Sequence, residues 1–415
     1  MAMIIKRDYY LQQLISSKSN NLIKIVTGIR RSGKSFLLFN LFHNHLIETG
    51  VSEDHIIEIA LDDRLNKNLR DPDVILQHIH ERIVDDKLYY IILDEVQMID
   101  EFTDVLNSLL HIRNADVYVT GSNSKFLSKD VVTEFRGRGD EIHLFPLSFA
   151  ELYNSLGGDK LELWKSYYTY GGLPGILELD GEKKKAAYLR SLHETVYLKD
   201  IIERNNLKNS EDFMELMRVM ASCIGSPCNP SKLGKTFKSV KNETLDRKTI
   251  SKYLSYMEDA FLIEKSMRYD IKGRKYIGTL SKYYFQDIGL RNALLNFRQV
   301  EENHIMENVI YNELRLRGFC VDVGMVETRT ATERKQLEVD FVANMADRRY
   351  YIQSAFAMPD DDKREQESAS LKRIDDSFKK IIIMRDDIKP YHDNNGFYIV
   401  GLMDFLLKPD LIEQL

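Results

Sequence analysis

Apolar residues along this 415-residue chain change their rhythm from one region to the next. Residues 22–27 (LIKIVT), 89–94 (YYIILD) and 115–120 (ADVYVT) are short and nearly unbroken apolar runs, the pattern of strands buried on both faces of a parallel sheet. Residues 36–42 (FLLFNLF) open an apolar helix soon after the first run, and one more strand is expected just ahead of Pro146. From 147 to 205 the apolar period becomes helical, with a break at Gly171-Gly172. Residues 214–220 predict another helix; Pro227 and Pro230 interrupt it, a short helix starts at Ser231, and a longer one covers 246–257. Residues 261–269 and 282–287 alternate around a Gly273-Arg-Lys tip, so helix, helix and two-stranded hairpin follow one another as in a winged helix. Beyond residue 301 the order is helix 305–315, then strand-like 320–324, 337–343 and 350–355.

Between strand 22–27 and helix 36–42 stands Gly28-Ile-Arg-Arg-Ser-Gly-Lys-Ser35, which fits the Walker A pattern G-x-x-x-x-G-K-[ST] in the strand-loop-helix context that gives the pattern its mechanism. Gly28 and Gly33 let the backbone curl so that N–H groups face phosphate oxygens; Lys34 reaches the β and γ phosphates, and Ser35 offers a hydroxyl to Mg²⁺. Gly28, Arg30, Arg31, Ser32, Gly33, Lys34, Ser35 and Phe36 are therefore the candidate nucleotide contacts. The apolar strand 89–94 ends in Asp94-Glu95, where Asp94 would hold the metal through water and Glu95 would polarise the attacking water. One acid suffices to bind nucleotide, while the second points to turnover; the bland alternative for Glu95 is a solvated strand end.

These segments, with VYVTGSNSKFLS, FRGR…LFPLSF and Tyr170-Gly-Gly-Leu-Pro-Gly-Ile176, resemble the archaeal and bacterial AAA-family (AAA+ P-loop) ATPases that carry a C-terminal domain of unknown function. The resemblance covers most of the chain and is strongest up to about residue 205. It implies ATP and Mg²⁺ at Gly33, Lys34, Ser35, Asp94 and Glu95, and a γ-phosphate sensor at Ser122 or Asn123, against which stands a simple helix N-cap. It also implies an arginine finger acting in a neighbouring subunit at Arg136 or Arg138, with Arg138 favoured because it occupies the family's Gly-Arg pair. In the lid after GGLPG, Arg190 is the nearest candidate for a nucleotide-reading arginine.

Charge adds a partner. Residues 231–283 hold 13 Lys and Arg against 6 Asp and Glu, a local +7 in a chain whose net charge is −6. Arg247, Lys248 and Lys252 on the second helix, with Lys272, Arg274 and Lys275 on the hairpin, suit phosphate contacts beside a DNA groove. Tyr253, Tyr256, Phe261 and Tyr269 read as core in preference to base-stacking platforms, and protein docking is the alternative use of the basic face.

The last portion resembles the PD-(D/E)XK nuclease core, which implies an acid on the first helix, an Asp at a strand end and an E/Q-x-K on the next strand. Glu307, Asp340 and Gln353 fall on those positions, but Ala355 stands where the lysine belongs, so a degenerate domain is expected. The expected fold is α/β: an AAA+ parallel-sheet core (1–147), a helical lid (148–205), a winged-helix region (206–300) and a nuclease-like, restriction-endonuclease-like α/β domain (301–415).

Three cysteines, 223, 228 and 320, lack paired spacing and support neither a disulfide framework nor a zinc cluster. No apolar run approaches bilayer length, and a cytoplasmic protein is expected. His43-Asn-His45 lies on the helix after the phosphate loop, His78 and His80 point apart at i, i+2 spacing, and Lys183-Lys-Lys185 reads as a solvated helix face; none carries chemistry. The functional expectation is an ATPase, a homo-oligomer if the arginine finger acts in trans, that switches or drives an assembly contacting DNA and an unknown protein partner. The alternatives are a nucleotide-gated signalling scaffold without DNA and an ATP-dependent nuclease.

Overall fold

The early apolar runs pair into one parallel sheet: β1 (Ile23–Thr27), β2 (Ile56–Ala60), β3 (Tyr89–Asp94), β4 (Ala115–Thr120) and β5 (Gly139–His143), in the spatial order β2-β3-β4-β1-β5. The structure, a computed structural model, describes residues 5–121, 137–329, 334–358 and 360–414. Alternate side chains of each strand enter different cores: Ile91 and Leu93 join Ile25, Ile59 and Val119 on one face, while Tyr90 and Ile92 join Val26, Tyr118 and Phe42 on the other. That explains the unbroken apolar runs, since both faces are covered. Truncating a residue such as Ile91, fully buried, would cost about 2–5 kcal/mol. The sheet belongs to a first compact unit, residues 1–147 with 173–178 and 259–261.

The second unit comprises residues 148–172, 179–258 and 262–415. Its helical opening matches the 3.6 period, with helices Phe149–Leu156, Lys160–Tyr170 and Glu182–Leu192. Ser148 starts the first through a capping box: its hydroxyl accepts the Glu151 N–H at 3.1 Å, and its own N–H donates to Glu151 Oε2 at 2.8 Å. Helices Pro230–Lys241 and Arg247–Asp259 follow, then a hairpin of β6 (Ile263–Asp270) and β7 (Lys275–Phe285). After helix Glu302–Leu316 come β8 (Cys320–Arg329), β9 (Arg334–Met345), β10 (Arg348–Ala355), β11 (Lys379–Met384), β12 (Tyr391–His392) and β13 (Tyr398–Gly401).

The hairpin, read as the wing of the 206–300 region, also meets the tail: Arg268–Asp270 of β6 pair in parallel with Val323–Met325 of β8. Hairpin and tail thus share one eight-stranded sheet, β12-β13-β11-β10-β9-β8-β6-β7. The physical reason is the edge: β6 would otherwise present unpaired N–H and C=O groups, and the Ser266 hydroxyl reinforces the junction by donating to the Val321 carbonyl at 3.0 Å.

Candidate functional site

Five parallel strands put their C-terminal ends on one edge, where an open α/β sheet builds its ligand crevice. At that edge the chain leaves β1 through Gly28, whose φ of +135° disfavours any side chain; a Cβ there would meet the Leu144 carbonyl oxygen at 2.2 Å. Gly33 has φ +99°, and its missing Cβ would stand 3.8 Å from Pro174 Cγ, so Pro174 lies against the loop. Residues from Lys34 to Glu48 then continue as a helix with a wide turn at Leu37–Phe42, its first N–H groups facing the loop.

Inside the loop Lys34 is buried and its ammonium donates to the carbonyls of Gly28 (3.0 Å) and Ile29 (3.2 Å). Ser35 Oγ donates to Asp94 Oδ2 at 2.7 Å, which joins the two expected metal-holding groups directly. Thr120, at the tip of β4, completes the set: its hydroxyl donates to Asp94 Oδ1 at 2.5 Å and accepts the Glu95 N–H at 2.9 Å. Glu95 takes a left-handed backbone, φ +54°, and its carboxylate accepts the Gln97 side-chain amide. Burial raises the Asp94 pKa, against the lowering effect of hydrogen bonds from Thr120 and Ser35. Ser32 Oγ is fully buried without a hydrogen-bond partner among the described residues, in the very loop whose curl forms a phosphate cradle. A cradle, an orphaned hydroxyl and an adjoining hydroxyl–carboxylate pair fit a magnesium nucleotide, with Lys34 and the loop at its phosphates and Ser35 and Asp94 at its metal.

The sequence reading missed three supports. Thr120 is polar at the end of an apolar strand, which is the signal in the sequence that points to it. Gln97 holds Glu95. Arg7, buried near the start of the chain, donates to the carbonyls of Ser32 (3.3 Å) and Phe145 (2.8 Å) and stacks on Tyr10, which fastens the loop to β5's continuation. Nothing in the sequence around Arg7 announces that contact.

The remaining expected residues lie as follows. Ser122, Asn123 and Arg136 fall outside the described residues. Arg138 is exposed and donates to Asn107 Oδ1 at 3.3 Å; its carbonyl accepts the Ile23 N–H at the start of β1, a strand's length, roughly 15 Å, from the loop. Its guanidinium is therefore not part of its own chain's phosphate loop. Arg247, Lys248 and Lys252 lie exposed on helix Arg247–Asp259, whose Ile250, Tyr253, Leu254, Tyr256 and Met257 face the core. Phe261 is buried as well, so Tyr253, Tyr256 and Phe261 are core residues, whereas Tyr269 is only half-buried. Lys272, Arg274 and Lys275 are exposed at the hairpin tip; Lys272 lies 3.9 Å from Asp375. In the tail Glu307, Asp340 and Gln353 do come together: Lys282 bridges Glu307 and Asp340, and the Asp340 N–H approaches Gln353 Oε1 at 3.5 Å. Ala355 is buried and brings no charge. The three cysteines are free.

The loop, the paired acids and the strand order define an AAA domain, and residues 20–153 match the family model of that description. The chain belongs to one family with an uncharacterized protein of Haemophilus influenzae, 33% identical over 414 residues, which span 98% of this chain and 99% of that one. An uncharacterized protein of Methanocaldococcus jannaschii is 29% identical over 90% of this chain and 82% of its own. Residues 161–301 match a domain of unknown function (DUF8612). Among solved structures, that of the Aeropyrum pernix Orc1 protein in complex with DNA aligns at 13% identity over 71% of this chain and 93% of that one, with a TM-score of 0.30. Among the described residues no helix is long and apolar enough to cross a membrane.

Proposed function

We propose that the chain binds and hydrolyses ATP with Mg²⁺ and uses the cycle to switch an assembly that contacts DNA. The observation that supports hydrolysis most directly is the hydrogen-bond chain Ser35–Asp94–Thr120–Glu95 beneath the phosphate loop, because it fixes the acid that would receive a proton from water. Magnesium, when bound with the nucleotide, supplies charge neutralisation at the transferring phosphoryl group. Lys34 and the loop N–H groups bind the phosphates; Ser35 and Asp94 hold the ion; Glu95, aimed by its left-handed backbone and by Gln97, orients and deprotonates the water. Arg30, Arg31, Ser32 and Phe36 complete the nucleotide contacts. Arg138, remote from its own loop, serves a neighbour's ATP, which makes the active species a homo-oligomer.

The exposed Arg247, Lys248, Lys252, Arg274 and Lys275 support DNA contact through helix Arg247–Asp259 and the hairpin, used as a winged helix is used. The second reading, a protein-binding scaffold, has its own support: Lys272 already faces Asp375. The nuclease-like tail docks and does not cut. ATPase assays with and without duplex DNA, over a salt series, distinguish the readings. DNA should stimulate turnover, binding should weaken steeply with salt, and Arg247→Ala, Lys248→Ala and Arg274→Ala should flatten that slope by about one unit per lost contact. Absent or salt-insensitive DNA binding would favour the scaffold.

A further inference from the structure

A nuclease-like tail implies a divalent cation held by Glu307 and Asp340, and the residues present do not fit one. Glu307 on helix Glu302–Leu316, and Glu338 and Asp340 on β9, do converge, but on an ammonium. Lys282 of β7 lies 2.8 Å from Glu307 Oε1, 2.7 Å from Glu338 Oε1 and 3.6 Å from Asp340 Oδ1, with its side chain 2% exposed. Further donors crowd the same carboxylates: the Tyr284 hydroxyl shares Glu307 Oε1 with Lys282 at 2.8 Å, and the Ser354 N–H takes Asp340 Oδ2 at 2.9 Å. Among the described residues no group of three or more His, Cys, Asp or Glu is arranged to hold a metal ion.

We infer that Lys282 is the resident cation of the tail: its ammonium stands where the carboxylates converge, closes the crevice to divalent metal, and locks hairpin β6–β7 onto the tail. Strand alternation delivers it, since Lys282 and Tyr284 are two apart on β7 and both reach Glu307. The charge missing at Ala355 has thus moved to another strand. Magnesium sheds its water reluctantly and would have to displace a buried, triply paired ammonium, leaving that charge without partners. Burial works against the ammonium, yet Glu307, Asp340 and Glu338 more than offset it and hold Lys282 charged. The inference rests on these ion pairs; it requires neither the ATPase reading nor DNA contact.

The test is a Mn²⁺ titration of nucleotide-free, full-length protein followed by electron paramagnetic resonance and thermal melting. Wild type should bind no Mn²⁺ that depends on Asp340. Lys282→Met, which keeps the stem and removes the charge, should gain one bound Mn²⁺, and its Tm should rise by about 2–3 °C at a Mn²⁺ concentration tenfold above Kd while wild type stays unmoved. A purely structural lysine would lower Tm without creating metal affinity. Mn²⁺ bound to wild type and lost in Asp340→Asn would overturn the inference, as would a folded Lys282→Met without Mn²⁺ affinity. Should Lys282→Met fail to fold, the comparison of wild type with Asp340→Asn decides alone.

Discussion

Thr120 shows how much one hydroxyl can organise. It ties the carboxylate of Asp94 to the backbone of Glu95, so the acids proposed for metal and for water are placed together. Thr120→Val should leave ATP affinity within a few-fold of wild type and lower the hydrolysis rate about 10–100-fold, read by nucleotide titration beside steady-state turnover. A second prediction follows from Asp94. Burial raises its pKa, so protonation displaces Mg²⁺ at a higher pH than an ordinary carboxylate would require, and kcat/KM should fall early on acidification. In Thr120→Val, one of the opposing hydrogen bonds is gone; the acid limb of the pH profile should then move to still higher pH. An unmoved limb would show that Asp94 does not set it.

At the scale of elements, His193 joins helix Glu182–Leu192 to segment His193–Leu198, and its Nε2 is buried without a hydrogen-bond partner among the described residues. Burial, aided by the nearby Arg218, lowers its pKa from 6.5 to about 4. Between those values the unfolded chain binds a proton that the folded chain refuses. The stability it contributes is complete above pH 6.5 and is lost as pH falls toward 4, by roughly 3 kcal/mol. His193→Gln should flatten the dependence of denaturation midpoint on pH in that window; an unchanged slope would remove His193 as its source. Elements were also where the sequence was read best and worst. The strand around Ile91 was plain because both faces are apolar, and the phosphate loop because its residues are contiguous. Pairing between β6 and β8 was not legible, since alternation marks a strand without naming its neighbour. Lys282 escaped notice for a related reason: 25 residues separate it from Glu307 and 58 from Asp340, and the motif placed the lysine on β10.

For the whole molecule, the claim is a nucleotide-driven machine whose basic face and clamped tail act outside the ATP site. Arg138 stands at the opposite end of β1 from the phosphate loop, and the proposed role in a neighbour's site requires an assembly of chains. Inactive Arg138→Ala mixed with inactive Lys34→Ala should recover part of the activity, because mixed interfaces then contain one intact site. No recovery in protein shown to oligomerise would leave Arg138 without a role in trans. The most direct measurement of the central claim pairs ATP binding with ATP hydrolysis in Lys34→Ala and Glu95→Gln. The account predicts that Lys34→Ala loses both, whereas Glu95→Gln binds ATP as wild type does and hydrolyses it at least a hundredfold more slowly, on the order of losing one transition-state contact. Wild-type turnover in Glu95→Gln, or undiminished ATP affinity in Lys34→Ala, would contradict it.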